Sequence, residues 1–200
     1  MTGARNGCRR FTILDGMILI AATAVGLAWV GRVWPGFLNQ LPPARRSWAW
    51  GRDFTVKVTA LATPVLMMWT WAILLLRLRG PRPGWRRVTR QPGMTACLSA
   101  LILFAIVATV EALVISRSIY SQSLFAAEFW RDVPGSLLEF LALGSPFIGL
   151  GVALSWLLMA VQRGWRSEPS WIDRAGRAIG LLWVATTPIL GTFLILQWFS

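Results

Sequence analysis

Long apolar runs recur along the chain and constrain its fold more than any other feature. Each of the five runs has 22 to 25 residues and at most two charged side chains. About 20 apolar residues are enough for a helix to cross the hydrocarbon core of a bilayer. The runs cover residues 11–34, 54–78, 94–116, 137–161 and 178–199. They predict an all-α fold in which residues 1–200 form a single polytopic transmembrane bundle of five spans.

The composition agrees with a lipid environment. Only 14% of the residues are charged and the mean hydropathy is +0.57, whereas soluble domains carry about 25% charged residues. The net charge of +12 could indicate nucleic acid if the cations lined one soluble face. Most of them instead lie between or at the ends of the apolar runs, where they set topology and contact anionic headgroups. We therefore expect the lipid bilayer, and not nucleic acid, as a partner.

The basic residues also predict an orientation. Alternate segments between the runs, counted from the N-terminus, hold 13 basic residues against 7 in the others. Cytoplasmic loops of membrane proteins carry the excess of Lys and Arg. The N-terminus is therefore predicted to be cytoplasmic and the C-terminus to be outside.

The first run has two competing interpretations. Basic residues followed by an apolar stretch with the small triplet 22–24 resemble a cleaved signal peptide. Asp15 inside the run, and the continuation of the run to Trp34, favour a retained span. The stretch from Arg10 to Asp15 also resembles a type IV prepilin signal, but Arg10 stands where that signal needs glycine and Asp15 replaces its glutamate.

The connecting segments differ in character. Residues 36–52 contain paired prolines and two tryptophans, which predict an irregular segment at the headgroup level. Residues 121–131 place apolar side chains at helical spacing and predict a short amphipathic helix on the outer surface. Residues 77–91 are rich in Arg, Pro and Gly and predict an extended connector that contacts lipid.

Three ionisable residues form a predicted outer-side polar cluster. Lys57, Glu111 and Glu139 come from three different runs, and the predicted topology puts all three near the outer ends of their helices. Charged groups inside membranes are costly and mark functional sites. The alternative is structural, because side chains close to a helix end can reach water or form an ion pair.

Three spans carry a hydroxyl residue followed by proline: Thr63-Pro64, Ser145-Pro146 and Thr187-Pro188. Proline removes a backbone donor and kinks a helix, and broken helices line substrate sites in many transporters. Pro64 follows Lys57 by seven residues, and Pro146 follows Glu139 by the same number. This spacing predicts either a pair of related kinked helices or ordinary packing prolines.

Small residues at four-residue spacing predict faces on which helices approach closely. They occur in spans one, four and five: Ala24 and Ala28; Ser145, Gly149 and Ala153; Gly176 and Gly180. The pattern predicts a packed bundle and leaves open whether the packing is internal or between subunits.

Catalytic and metal-binding patterns are missing from the sequence. It contains no histidine, and Cys8 and Cys97 have no ligand spacing, so we expect free thiols, no metal and no cofactor. Asp15 is the one carboxylate near the inner end of a span. Such a first-turn acid is typical of a partner for a helix dipole.

Three stretches resemble uncharacterised multi-pass membrane proteins of planctomycete bacteria. They are residues 10–15, residues 81–93 and the segment from Glu168 to Arg174. The resemblance implies a multi-pass protein of a bacterial cytoplasmic membrane and no known activity.

Three functional hypotheses follow. A non-enzymatic membrane subunit or assembly partner fits the small-residue faces and the lack of catalytic groups. A small oligomeric transporter or channel fits the kinked helices and the outer-side cluster. An intramembrane enzyme would depend on Glu111 or Glu139. We prefer the subunit, with the transporter as the alternative.

Overall fold

The computed structural model describes residues 11–39, 48–79, 90–119, 127–162 and 170–198. Side chains are described for 11–32, 59, 61–79, 90–110, 113, 144–162, 170–189, 191 and 192. The described residues form five helices and no strand: α1 (Ile13–Asn39), α2 (Trp48–Arg79), α3 (Pro92–Ile119), α4 (Ala127–Val161) and α5 (Trp171–Trp198). The predicted all-α helical bundle is confirmed.

Four of the helices contain a segment long and apolar enough to cross a bilayer. These segments are Ile13–Arg32, Leu61–Arg79, Pro92–Val110 and Gly144–Val161. The chain is therefore a membrane protein. The fifth predicted span, 178–199, lies on α5, several of whose side chains fall outside the described residues. The count of five spans and their orientation stay predictions.

Two helices begin with a hydroxyl residue and, three residues later, an aspartate. At α1 the Thr12 amide donates to Asp15 Oδ2 at 3.0 Å, and the Asp15 amide donates to Thr12 Oγ1 at 3.3 Å. These reciprocal bonds form a capping box, which satisfies amides that have no partner within the helix. At α5 the Asp173 amide donates to Ser170 Oγ at 3.3 Å. The prediction that Asp15 serves the start of its helix is confirmed.

The helices are longer than the apolar runs. α2 begins at Trp48 and α4 at Ala127, so residues 48–52 and 127–131 are helical. The second part of the predicted amphipathic helix is thus the first turn of α4 and not a separate element, while residues 121–126 lie outside the described residues. Extending an existing helix adds one hydrogen bond per residue, whereas nucleating a new one is costly.

Successive helices run in opposite directions. An edge-to-face contact between Phe11 and Trp171, with ring centroids 4.9 Å apart, brings the starts of α1 and α5 together. The indole of Trp156, near the end of α4, donates to the Pro92 carbonyl at the start of α3 at 2.8 Å. Arg77, near the end of α2, bonds to Gln91 just before α3. These contacts place the starts of α1, α3 and α5 and the ends of α2 and α4 at one end of the bundle. We call it the basic end.

Helices α2 to α5 all contact one another and form a four-helix core, whereas α1 packs mainly against α2. The core is filled by apolar side chains around the fully buried Trp183. Its indole donates to Thr70 Oγ1 at 3.1 Å. Gly149 on α4 lies directly against the Trp183 backbone, so α4 and α5 approach closely at this level.

We expect Gly149→Ala to destabilise the bundle. An added Cβ would overlap the Trp183 carbonyl oxygen and the Thr187 hydroxyl, and overpacking costs about 1–3 kcal/mol. Gly31→Ala is the matched control, because nothing lies within 4 Å of a Cβ there. It should be neutral or stabilise by up to about 1 kcal/mol through helix propensity. Unfolding of both variants in detergent would be followed by tryptophan fluorescence, and equal stability of the two would contradict the close approach.

Candidate functional site at the basic end

The predicted outer-side cluster lies on three helices of the core. Lys57 is on α2, Glu111 on α3 and Glu139 on α4, and their side chains lie outside the described residues. At 1.5 Å per residue their backbones are about 28 to 33 Å along the helices from Arg77, Pro92 and Val161 at the basic end. This is close to the thickness of a hydrocarbon core. A shared level for the three residues is consistent with the helix positions.

The three prolines do not break their helices, since the backbone is α-helical on both sides of Pro64, Pro146 and Pro188. Pro64 and Pro146 are buried, whereas Pro188 is exposed. The hydroxyls beside them connect helices or bond locally. Thr187 Oγ1 donates to the Pro146 carbonyl at 3.3 Å, and Thr63 Oγ1 donates to the Thr59 carbonyl at 3.3 Å. The proline level of α4 and α5 is thus a point of contact between these two helices.

The glycines singled out in the sequence lie at close helix contacts. A Cβ on Gly176 would be 2.7 Å from the carbonyl oxygen of Gly93, and one on Gly180 would be 2.6 Å from the ring of Trp156. They line the side of α5 that packs on α3 and α4, and Gly149 lies on the side of α4 that packs on α5. Gly93 was not predicted, because it stands one residue outside an apolar run.

The small residues singled out on α1 do not lie at a close helix contact. Ala24 and Ala28 are exposed, so this face does not pack on the described part of the bundle. The close approach of α1 to α2 occurs at Gly26, where a Cβ would be 2.9 Å from the Val65 Cα. Trp69 Nε1 reinforces it by donating to Thr23 Oγ1 at 2.8 Å.

Two carboxylates are buried among the described residues, those of Asp15 and Asp173, and each residue is only 1% exposed. Asp173 lies between two helices of the core. Its Oδ1 accepts from the Gly93 amide at 2.9 Å. Its Oδ2 lies 3.4 Å from Nε of Arg177, an ion-pair distance without hydrogen-bond alignment. Asp173 therefore sits in the first turn of its own helix and also caps the N-terminus of α3. Both helix ends are positive and favour this negative charge.

Gln91 occupies the neighbouring position, immediately before α3. Its side chain is 2% exposed, and its Oε1 accepts from Arg77 Nη2 at 2.9 Å. The backbone carbonyl of Gln91 accepts from the Thr95 amide at 2.9 Å, which starts the helical hydrogen-bond pattern. The ends of α2, α3 and α5 are thereby tied together by polar contacts. We call Arg77, Gln91, Gly93, Asp173 and Arg177 the Asp173 cluster.

The Asp173 cluster contains one carboxylate and two arginines. Among the described residues no group of three His, Cys, Asp or Glu side chains could hold a metal ion. Cys97 is a buried free thiol, as the sequence predicted, while Cys8 lies outside the described residues. The sequence contained one signal for the cluster, the Ser170-x-x-Asp173 capping pattern before an apolar run.

Comparisons with protein families, with curated proteins and with solved structures give no match. The resemblance to planctomycete membrane proteins stays an expectation.

Substitutions of Asp173 should distinguish the stability contributed by its hydrogen bond with the Gly93 amide from that contributed by its ion pair with Arg177. Asp173→Ala removes both and should cost about 2 kcal/mol of unfolding free energy, since hydrogen bonds to charged groups contribute about 1.5–3 kcal/mol. Asp173→Asn keeps an oxygen for the Gly93 amide and should cost about half as much. Arg177→Gln should cost less than about 1 kcal/mol, because that pair is partly exposed. The free energy of unfolding of each variant is measured in detergent. Equal losses for Asp173→Asn and Asp173→Ala would show that the charge of Asp173, and not its hydrogen bond, contributes most of the stability.

Proposed function

We propose that the chain is a non-enzymatic subunit or assembly partner of a complex in a bacterial cytoplasmic membrane. The observation that supports this most directly is the peripheral position of α1. Only 11% of the residues in its spanning segment are buried within the chain, against 56% in the segment of α2. Most of the surface of this segment, Ile13–Arg32, is thus available to lipid or to another helix.

The composition of the exposed face of α1 favours another helix. Opposite the side that packs on α2 stand Met17, Ala21, Ala24, Ala28 and Gly31, all exposed. Their spacing of four, three, four and three residues is that of a coiled-coil seam. Lipid does not require small side chains, whereas a partner helix does, because they allow backbones to approach closely.

The interior of the core supports the same proposal. Its polar side chains bond across helices: Trp183 to Thr70 at 3.1 Å, and Ser99 to Ser155 at 2.6 Å. Bonds of this kind hold helices together in lipid. Groups used in this way are unavailable to line a water-filled path, which favours a scaffold over a conduit.

A photo-crosslinking experiment tests the subunit proposal. A diazirine amino acid is placed at Ala24 on α1 or, as a control, at Leu150 on the exposed face of α4. Both positions lie 11 residues from the basic end of their helices, so they sample a similar depth. We expect a defined protein adduct from Ala24 only, identified by mass spectrometry after purification from native membranes. Lipid adducts alone from both positions would contradict the proposal.

A small oligomeric transporter is the second candidate. It is favoured by the similar distances of Lys57, Glu111 and Glu139 from the basic end, and by the burial of Pro64 and Pro146. Ionisable groups at one membrane level can form a pathway for ions.

The transporter predicts that Glu139→Gln abolishes a flux while leaving folding intact. Proton and monovalent-cation flux would be measured in proteoliposomes with ion-sensitive dyes. Glu128→Gln, near the start of the same helix, is the control and should retain the flux. Unchanged flux in Glu139→Gln, or no flux in the wild type, would exclude this candidate for those ions.

A further inference from the structure

Three arginines stand at helix ends that ordinarily repel cations. Arg90 lies two residues before α3, and Arg174 and Arg177 lie in the first two turns of α5. The N-terminus of a helix carries a partial positive charge, which disfavours Lys and Arg and favours anions. The sequence thus places positive charge where the backbone is already positive.

The N-termini of α3 and α5 are next to each other, so their partial positive charges act at the same place. The Gly93 amide is 2.9 Å from Asp173, and Gly176 packs on the backbone of Gly93. Arg90, three residues before Gly93, and the arginines of α5 therefore share one corner of the basic end. We call this the α3–α5 corner.

The described residues supply little negative charge to this corner. Asp173 is committed to the Gly93 amide and to Arg177. Arg90 and Arg174 are exposed, and no described carboxylate pairs with either. The side chain of Arg177 is 33% exposed, so its guanidinium is held by Asp173 at Nε and reaches the surface.

A buried donor lies at the same corner. Gln91 follows Arg90 and is 2% exposed. Its oxygen is used by Arg77, and its amide nitrogen Nε2 has no hydrogen-bond partner. Buried donors in folded proteins nearly always have an acceptor. An oxygen atom of a bound ligand, or of a water, would satisfy the Gln91 amide nitrogen.

We propose that the α3–α5 corner binds the phosphate group of an anionic phospholipid. Phosphate oxygens are acceptors that match guanidinium groups in charge and geometry. The corner lies at the basic end of a membrane bundle, where headgroup phosphates are abundant. The exposed Arg90 and Arg174 attract the phosphate, the partly exposed Arg177 adds a third positive charge, and the buried Gln91 amide lies one residue from Arg90.

Native mass spectrometry of the purified protein tests the site. The protein in detergent is titrated with phosphatidylglycerol and, separately, with phosphatidylcholine. We expect the wild type to prefer phosphatidylglycerol. Arg90→Gln and Arg174→Gln should each weaken its binding several-fold, and together by roughly tenfold or more, since each basic residue near a membrane surface contributes measurably.

Arg79→Gln is the matched control, because Arg79 is also exposed at the basic end but is the last residue of α2, at a helix C-terminus. It should change phosphatidylglycerol binding less than twofold. Equal losses in Arg79→Gln and Arg174→Gln would overturn the proposal in favour of diffuse charge attraction. Unaltered binding in the double variant would also overturn it. Thermal unfolding of each variant shows that the fold is retained, as expected for exposed arginines.

Competition separates a lipid from a free anion. Excess inorganic phosphate should not displace phosphatidylglycerol from the wild type, because the acyl chains add binding that phosphate lacks. Complete displacement by inorganic phosphate would assign the corner to a soluble phosphate and overturn the lipid proposal.

Discussion

The contact between Asp173 and the Gly93 amide holds the starts of α3 and α5 together, and much of the bundle depends on it. A carboxylate in the first turn of one helix serves as the cap of another. The bond is short enough only if the two backbones touch, and this is why Gly93 faces Gly176. A methyl group on either glycine would separate the helices and remove the acceptor from the amide.

Lipid provides no hydrophobic force between apolar helices, so the bundle relies on packing and on hydrogen bonds. These bonds occur at two depths. Trp156 donates to the Pro92 carbonyl near the basic end. Further along, at consecutive positions of α2, Trp69 donates to Thr23 and Thr70 accepts from Trp183. Tryptophan suits this use, because its large ring fills space between helices while its single N–H finds one acceptor. Each such bond contributes on average about 0.6 kcal/mol, so the bundle needs several of them.

The sequence predicts the number and approximate place of the helices because apolar length is a direct consequence of bilayer thickness. It does not predict their ends. The apolar pattern predicts that the fifth span starts at Ala178 and that Asp173 lies in a loop, although the helix begins at Trp171. Local hydrogen-bond chemistry, and not hydropathy, decides that boundary. Asp15 was recognised because its run begins just before it.

Which small residues pack inside the chain could not be predicted. Gly149, Gly176 and Gly180 contact neighbouring helices, whereas Ala24 and Ala28 do not. All five have the same four-residue spacing, and only the tertiary arrangement distinguishes them. The Asp173 cluster was missed for a related reason. Its members come from three chain segments, and the bond between Gly93 and Asp173 joins residues 80 positions apart.

The peripheral position of α1, which packs mainly on a single neighbour, bears on the order in which the helices assemble. Among the five helices α1 comes first in the chain, so it leaves the ribosome before α2, its main neighbour, has been synthesised. A helix that buries few of its side chains within the chain can be stable in the bilayer before its neighbours are present, because its backbone N–H and C=O groups bond within the helix. The four later helices need one another, since their hydrogen bonds join α2, α3, α4 and α5. Of the five helices, α1 therefore depends least on the others, whereas α2 to α5 reach their final packing only once all four are present.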